Sequence, residues 1–234
     1  MDRVLFALSV PKCVCCGERL NYGEKAFCHK CSAEFSDLKT RNCAKCARVL
    51  SKCDCVTPYL KAHFIRRVIK CYRYINRQNV NAGNSLIYSL KRDNRADVLE
   101  VCAKELEAAI RNSVSNPGRY IFTNVPRRKA AIVEHGIDHS ELLARELAGR
   151  FGAEYISLLK SNAKKAQKSL EHSDRLKNAD FDIIKDIDLT GREVIIVDDI
   201  ITTGASMSSA ATLIRSLGCK SITAAALAIA YKDQ

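Results

Sequence analysis

The stretch that most constrains this chain is Val194-Ile195-Ile196-Val197-Asp198-Asp199-Ile200-Ile201-Thr202-Thr203-Gly204-Ala205-Ser206. Four apolar β-formers in succession read as a strand buried on both faces, as in a parallel sheet. Asp198 and Asp199 follow at its C-terminal end, where ligands sit in open α/β sheets. The turn at Thr202, Thr203, Gly204, Ala205 and Ser206 then leads into a helical pattern reaching about Leu217. Such a turn offers backbone N–H groups, hydroxyls and a helix N-terminus to a phosphate. A phosphate cradle beside two carboxylates fits a ribose 5-phosphate, whose 2- and 3-hydroxyls would donate hydrogen bonds to the acids. The competing reading is a core strand whose acids only cap the next helix. A composite pattern of this length favours the ligand.

The surrounding pattern alternates strands with helices. Tyr120 to Val125 reads as the first strand of the sheet and ends in Pro126-Arg127-Arg128-Lys129. Three cations at a strand's C-terminal end suit a pyrophosphate, which Arg can grip bidentately. Asp138 can cap a helix running to about Phe151, with Leu142, Leu143 and Leu147 inward. Ala153 to Leu159 and Ser221 to Ala230 read as further strands, and Phe181 to Ile184 as a small one. Asn79 to Leu90 and Arg95 to Ile110 read as helices, the second with an apolar stripe of Val98, Val101, Cys102, Leu106 and Ile110. Lys160 to Asn178 is polar and basic with few apolar anchors, as a mobile lid or a solvated linker would be. No internal repeat is visible. The expected class is α/β, with a mainly parallel sheet flanked by helices.

Nine of the twelve cysteines lie in residues 1–58. Nothing marks the chain as secreted, and no stretch approaches the ~18 apolar residues of a membrane span. It therefore reads as soluble and cytoplasmic, and its paired cysteines as metal ligands rather than disulfides. Cys13-x-x-Cys16 and Cys28-x-x-Cys31 have zinc-ribbon spacing. Cys43-x-x-Cys46 and Cys53-x-Cys55 form a second, less regular set. Two structural Zn²⁺ ions with sequential pairing is the preferred arrangement, with interleaved pairing or a single zinc as alternatives. Cys15 reads as a bystander, and Cys71, Cys102 and Cys219 as small core residues. Thr57-Pro58 marks the boundary between a cysteine-rich zinc module (1–58) and the main domain (59–234).

The formal net charge of +12 calls for anionic partners, whether phosphorylated small molecules, nucleic acid or an acidic protein. Between residues 59 and 77, Tyr59, Tyr72 and Tyr74 alternate with Lys61, Arg66, Arg67, Lys70, Arg73 and Arg77. This is either a base-stacking, backbone-tracking face or, as preferred, a basic strand or helix face with partly buried tyrosines.

The thirteen-residue stretch resembles the phosphoribosyl pyrophosphate (PRPP) signature of type I phosphoribosyltransferases at every position. Joined to a cysteine-rich N-terminal module, it resembles the ComF family over nearly the whole chain. The segment Gln167, Leu170, Arg175 and Asn178 matches that family's Gln-x-x-Leu-x-x-x-x-Arg-x-x-Asn pattern. The segment from His135 to Ala144 departs from it, with His135, Asp138 and His139 where the family has Arg, Asn and Gln. The two histidines could supply donors or a general base near neutral pH.

The resemblance implies Mg²⁺-dependent transfer of a 5-phosphoribosyl group with release of pyrophosphate. Asp198 and Asp199 would serve the ribose and the developing positive charge, and residues 202–206 the 5-phosphate. Arg127, Arg128 and Lys129 would hold the pyrophosphate, while Gln167 and Arg175 lie in the lid. Residues 59–115 would form the variable hood and 116–234 the core, in a protein of nucleotide salvage or DNA uptake. The other reading is a non-catalytic zinc-containing adaptor. It would bind single-stranded DNA or a helicase partner and use the fold as a PRPP or nucleotide sensor.

Overall fold

The structure is a computed structural model that describes residues 10–74, 81–128, 132–133, 136–162 and 181–230. Lys129, His135, Gln167 and Arg175 lie outside the described residues, as does most of the segment read as a lid. In chain order the described elements are α1 (His29–Lys39), α2 (Pro58–Ala62), β1 (Ile65–Arg73), α3 (Ala82–Arg92), α4 (Ala96–Ser113), β2 (Ile121–Asn124) and α5 (His139–Phe151). They continue with β3 (Glu154–Tyr155), β4 (Leu159–Ser161), β5 (Phe181–Ile183), β6 (Glu193–Ile201), α6 (Ala205–Ser216) and β7 (Ser221–Ile229).

Five strands form one parallel sheet in the order β1-β7-β6-β2-β3. All of its C-terminal ends therefore open on one side. Val194 to Val197 are fully buried in β6, as an apolar run covered on both faces must be. The neighbouring β7 is mostly alanine from Ala224 to Ala228, so helices can approach the sheet closely there. One core contains α3, α4 and α5, with the stripe Val98, Cys102, Leu106 and Ile110 turned inward. The other contains α6, with Met207, Ala210, Ala211 and Ile214. Cys71, Cys102 and Cys219 are buried core residues.

The sheet does not begin at residue 120. Residues 65–73 form its edge strand, paired with β7 from Ile65↔Ile222 to Arg73↔Ile229. A division at 115/116 therefore cuts the sheet, and 59–115 cannot be a hood alone. The cations of β1 hid its character. Arg66 and Arg67 are exposed near its start, but Lys70 and Tyr72 are buried, with the Tyr72 hydroxyl donating to the Gly83 carbonyl at 2.8 Å. These two side chains cannot belong to a nucleic-acid stacking face. The stretch 153–159 is likewise not one strand. It gives β3 to the main sheet, and β4 then pairs antiparallel with β5 in a separate two-stranded sheet.

The cysteine-rich region is not a detached module. Phe27, Cys31, Phe35 and Leu38 belong to the core of α3–α5, and the Phe35 ring meets Tyr72 edge-on at 5.3 Å. Cys43, Leu50 and Cys53 belong to the core on the other face. The acidic flank of α4 also holds the region by polar contacts. Asp97 accepts from the Ala26 amide at 2.9 Å, Glu105 pairs with Lys39 at 2.8 Å, and Glu100 pairs with Lys25.

An internal repeat is present after all. Cys13-x-x-Cys16-Gly17 and Cys43-x-x-Cys46-Ala47 are two copies of one knuckle thirty residues apart. Each is closed by a bridge, Lys12↔Arg19 and Asn42↔Val49, and each is followed by a buried leucine, Leu20 and Leu50. The residue after the second cysteine is left-handed in both, Gly17 at φ 76° and Ala47 at φ 57°. A β-carbon in that conformation costs about 1 kcal/mol or more. Ala47→Gly is therefore expected to raise unfolding stability by ~0.5–1 kcal/mol, measurable as a higher denaturant midpoint with an unchanged slope.

Candidate functional site

A cleft of about 180 Å³ lies at the C-terminal ends of β2 and β6. Lys91, Arg127, Asp138, His139, Asp198, Asp199 and Ser206 line it, together with Val125, Pro126 and Ser140. The structure thus brings the acid pair, one cation of the 126–129 segment and the start of α6 to one opening. Arg128 is described and exposed but does not line this cleft.

Asp198 and Asp199 share the end of β6, where the Asp199 amide donates to Asp198 Oδ1 at 2.8 Å. Burial, and then the charge of Asp199 beside it, push the Asp198 carboxyl well above the usual carboxylate range. The Asp199 amide and the Lys91 ammonium pull the other way but do not prevail. Lys91 Nζ lies 3.1 Å from Asp199 Oδ1. Two adjacent acids, the first of them raised by burial and by the charge of the second, with the Lys91 ammonium beside the second, suit a divalent cation. The donor set therefore fits Mg²⁺.

Beyond β6 the chain turns at Gly204, which caps α6 in a left-handed conformation at φ 84°. Thr202, Thr203, Ala205 and Ser206 are exposed around this turn. The first turn of α6 carries no acidic residue, so its N–H groups and these hydroxyls can face an anion.

Across the cleft, the segment after β2 is fixed by Asp138 and His139. Asp138 caps α5 through the amides of Ser140 and Glu141, and its other oxygen accepts from the Arg127 amide at 2.8 Å. His139 is 3% exposed. Arg127 Nη1 lies 2.8 Å from its Nδ1, and its Nε2 lies 3.1 Å from Asn94 Oδ1. Arginine has only donors, so Nδ1 must accept and Nε2 must carry the proton given to Asn94. Both ring nitrogens are engaged, so the general-base role open to His139 in the sequence is not available. It orients Arg127 instead. Lys91 and Asn94 were not foreseen. They stand at the C-terminal end of α3 and in the turn after it, and no local motif marks them.

The cysteines fall into two sets. The sulfurs of Cys13, Cys16, Cys28 and Cys31 lie within 4.8 Å of one another, and so do those of Cys43, Cys46, Cys53 and Cys55. The pairing is sequential. Tetrahedral Zn–S bonds of ~2.3 Å imply sulfurs roughly 3.8 Å apart, and Cys16 and Cys28 are at 3.7 Å. Burial pushes Cys13 up, but backbone N–H groups of Cys16, Cys28 and Cys15 outweigh it and lower the thiol to about 7. The Arg48 amide lowers Cys46 to about 6. Burial and neighbouring sulfurs push Cys31 and Cys55 up. Four thiolates this close repel one another unless a cation lies among them, and both sets can hold structural zinc. Cys15 approaches Cys31 and Glu34, a grouping that would have to share Cys31 with the first set.

No helix among the described residues is long and apolar enough to cross a membrane. Residues 137–234 match the phosphoribosyl transferase domain family. Ribose-phosphate pyrophosphokinase 2 of Archaeoglobus fulgidus is 54% identical over 41 residues, 18% of this chain and 15% of that protein. Ribose-phosphate pyrophosphokinase of Saccharolobus solfataricus is also 54% identical over 41 residues, 18% of this chain and 14% of that protein. The match thus spans a small part of either relative. Among solved structures, the purine phosphoribosyltransferase of Pyrococcus horikoshii aligns with 16% identity and a TM-score of 0.35, covering 69% of this chain and 77% of that one. A hypoxanthine phosphoribosyltransferase from Staphylococcus aureus aligns with 14% identity and a TM-score of 0.34, covering 62% of this chain and 63% of that one. Residues 137–234 are thus similar to a phosphoribosyltransferase domain, and the parallel sheet continues upstream of the matched residues with β1 and β2.

Proposed function

We propose that the cleft binds PRPP and that the protein transfers its 5-phosphoribosyl group to an acceptor, releasing pyrophosphate. The observation that carries this reading is the convergence of Asp198, Asp199, Arg127 and the start of α6 on one opening. The C1–oxygen bond to pyrophosphate breaks with its electron pair leaving on pyrophosphate, and the acceptor's lone pair forms the new bond to C1. Little covalent chemistry falls to the protein, so positioning and charge dominate. Asp198 and Asp199 accept the ribose hydroxyls and face the positive charge that develops at C1. The loop 202–206 binds the 5-phosphate. Arg127, aimed by His139, takes the pyrophosphate with help from Arg128 and Lys129. A bound Mg²⁺ would offset the charge of the pyrophosphate and ribose oxygens at the acid pair. Gln167 and Arg175, which the resemblance assigns to a lid, would serve the same ligand, and both cysteine sets hold structural Zn²⁺.

Lys91 belongs to the same reading. Its side chain is 34% exposed and lines the cleft with Arg127, so its ammonium can pass from Asp199 to an incoming pyrophosphate. Calorimetric titration of PRPP with Mg²⁺ into zinc-loaded protein tests the reading, and absence of binding to the folded protein removes it. Lys91→Met is expected to weaken PRPP binding about tenfold or more, the worth of a charged hydrogen bond. Affinity for ribose 5-phosphate, which lacks the pyrophosphate, should stay unchanged.

A ComF-type role in DNA uptake, with single-stranded DNA or a helicase as partner, is the finer form of this proposal. Its support is the cysteine-rich region joined to the domain and the +12 charge. Binding to single-stranded DNA that falls steeply with salt would favour it, and salt-independent or absent binding would remove the DNA.

A further inference from the structure

We propose that the second cysteine set, Cys43, Cys46, Cys53 and Cys55, positions the 5-phosphate loop, so that metal held there sets the loop's affinity for phosphate. The assignment of phosphate to this loop rests on the function proposed above. The mechanical link rests on contacts alone.

The link is short. Only four residues separate Cys55 from Leu60, and Thr57 among them caps α2, its hydroxyl accepting from the Leu60 amide at 3.3 Å. Leu60 is 1% exposed and packs in the same core as Cys43, Cys53 and Met207 of α6. Its side chain forms the wall behind Gly204. A β-carbon placed on Gly204 would lie 2.8 Å from Leu60 Cδ2 and 3.7 Å from Tyr59 Cδ1. The loop therefore takes its shape against α2, and α2 hangs from Cys55.

A second tie comes from the sheet. Lys70 of β1 is 1% exposed. Its Nζ donates to the Cys55 carbonyl at 3.0 Å and to the Val68 carbonyl at 3.1 Å, and it interacts with Cys53. No carboxylate pairs with it among the described ion pairs, and a buried ammonium needs an anion nearby. Four cysteine thiolates around one divalent cation carry net negative charge, so the metal-loaded set supplies it. Lys70 thus clamps the root of α2 to the sheet that carries Asp198. The first cysteine set lies in the core on the opposite face, and among the described residues the wall behind Gly204 is formed by Leu60 and Tyr59 rather than by that core.

The test uses the full chain with three substitutions, reading zinc content, affinity for ribose 5-phosphate, and hydrogen exchange at amides 204–209. Cys46→Ser should lose one zinc equivalent, weaken ribose 5-phosphate about tenfold and speed exchange at the start of α6. Cys16→Ser should lose the other equivalent and change affinity and exchange there clearly less than Cys46→Ser does. Leu60→Ala keeps every thiolate. It should retain all zinc yet reproduce the loss of affinity and protection, and it decides the matter if Cys46→Ser fails to fold. Unchanged exchange in Leu60→Ala, or equal effects of Cys16→Ser and Cys46→Ser in folded protein, overturns the inference. The exchange response in Cys46→Ser and Leu60→Ala, beside a wild type with no affinity for ribose 5-phosphate, would instead overturn the ligand assignment and leave the mechanical link standing.

Discussion

Asp198→Asn is expected to make the protein more stable and, at the same time, a markedly weaker binder of PRPP. The two effects have one source. The Asp198 carboxyl is raised well above its ordinary value, by burial and then by Asp199. A raised acid keeps its proton in the folded protein while the unfolded chain releases it above pH ~4. Stability is therefore lost progressively as pH rises from about 4 towards the raised value. Asparagine has the same shape, and its oxygen can still accept from the Asp199 amide, but it carries no charge to bury. The thermal midpoint of the variant should exceed the wild type's by a few degrees at pH 7.5 and by less at pH 5. Ligand binding needs the charge that folding resists. Loss of a charged acceptor for a ribose hydroxyl and its cation should weaken PRPP roughly 10- to 100-fold. Scanning calorimetry at the two pH values and a titration with PRPP measure both effects. A variant that is destabilised at neutral pH and binds normally would show that Asp198 is a structural acid.

How far such a site is visible in the chain depends on how local its signals are. β6, its loop and α6 were legible because an apolar run, two acids and a hydroxyl-rich turn are contiguous. The cap of α5 was legible for the same reason, since Asp138 stands directly before the helical pattern. The cysteine sets followed from short spacers. β1 was obscured by burial of a cation. An apolar strand interrupted by Lys70 reads as a basic surface until the cysteine set beside it gives the ammonium a reason to be inside. Lys91 and Asn94 meet Asp199 and His139 only across the fold. The knuckle repeat was hidden because one copy carries Gly17 and the other Ala47, so that its shared feature is a backbone angle rather than a residue type. His139 was misread in the other direction. An imidazole beside a phosphate site suggests proton transfer, but here both nitrogens already hold partners.

Removal of both metals is expected to unfold the entire chain, not to release a small module from an intact domain. Structural Zn²⁺ sites contribute on the order of 10–16 kcal/mol in small zinc peptides, against a total stability of about 5–15 kcal/mol for an ordinary domain. That comparison alone would permit local unfolding if the cysteine region had a core of its own, but it has none. Cys13 and Cys31 are part of the core containing α3, α4 and α5, while Cys43 and Cys53 are part of the core containing α6 and β7. Loss of the first metal withdraws Phe27, Phe35 and Leu38 from Tyr72 and Leu86, and exposes the acidic flank of α4 that Lys25 and Lys39 cover. Loss of the second leaves Lys70 buried without its anion in the edge strand of the sheet. Buried positions of Cys13, Cys31, Cys43 and Cys53 should make chelation slow, and the unfolding that follows should be cooperative. Circular dichroism and tyrosine fluorescence, followed against metal released into a chelator, should give superimposable curves that account for all the helical signal. A metal-free species that keeps the signal of α4 and α5 and still binds ribose 5-phosphate would mean that the sheet is closed without its cysteine supports.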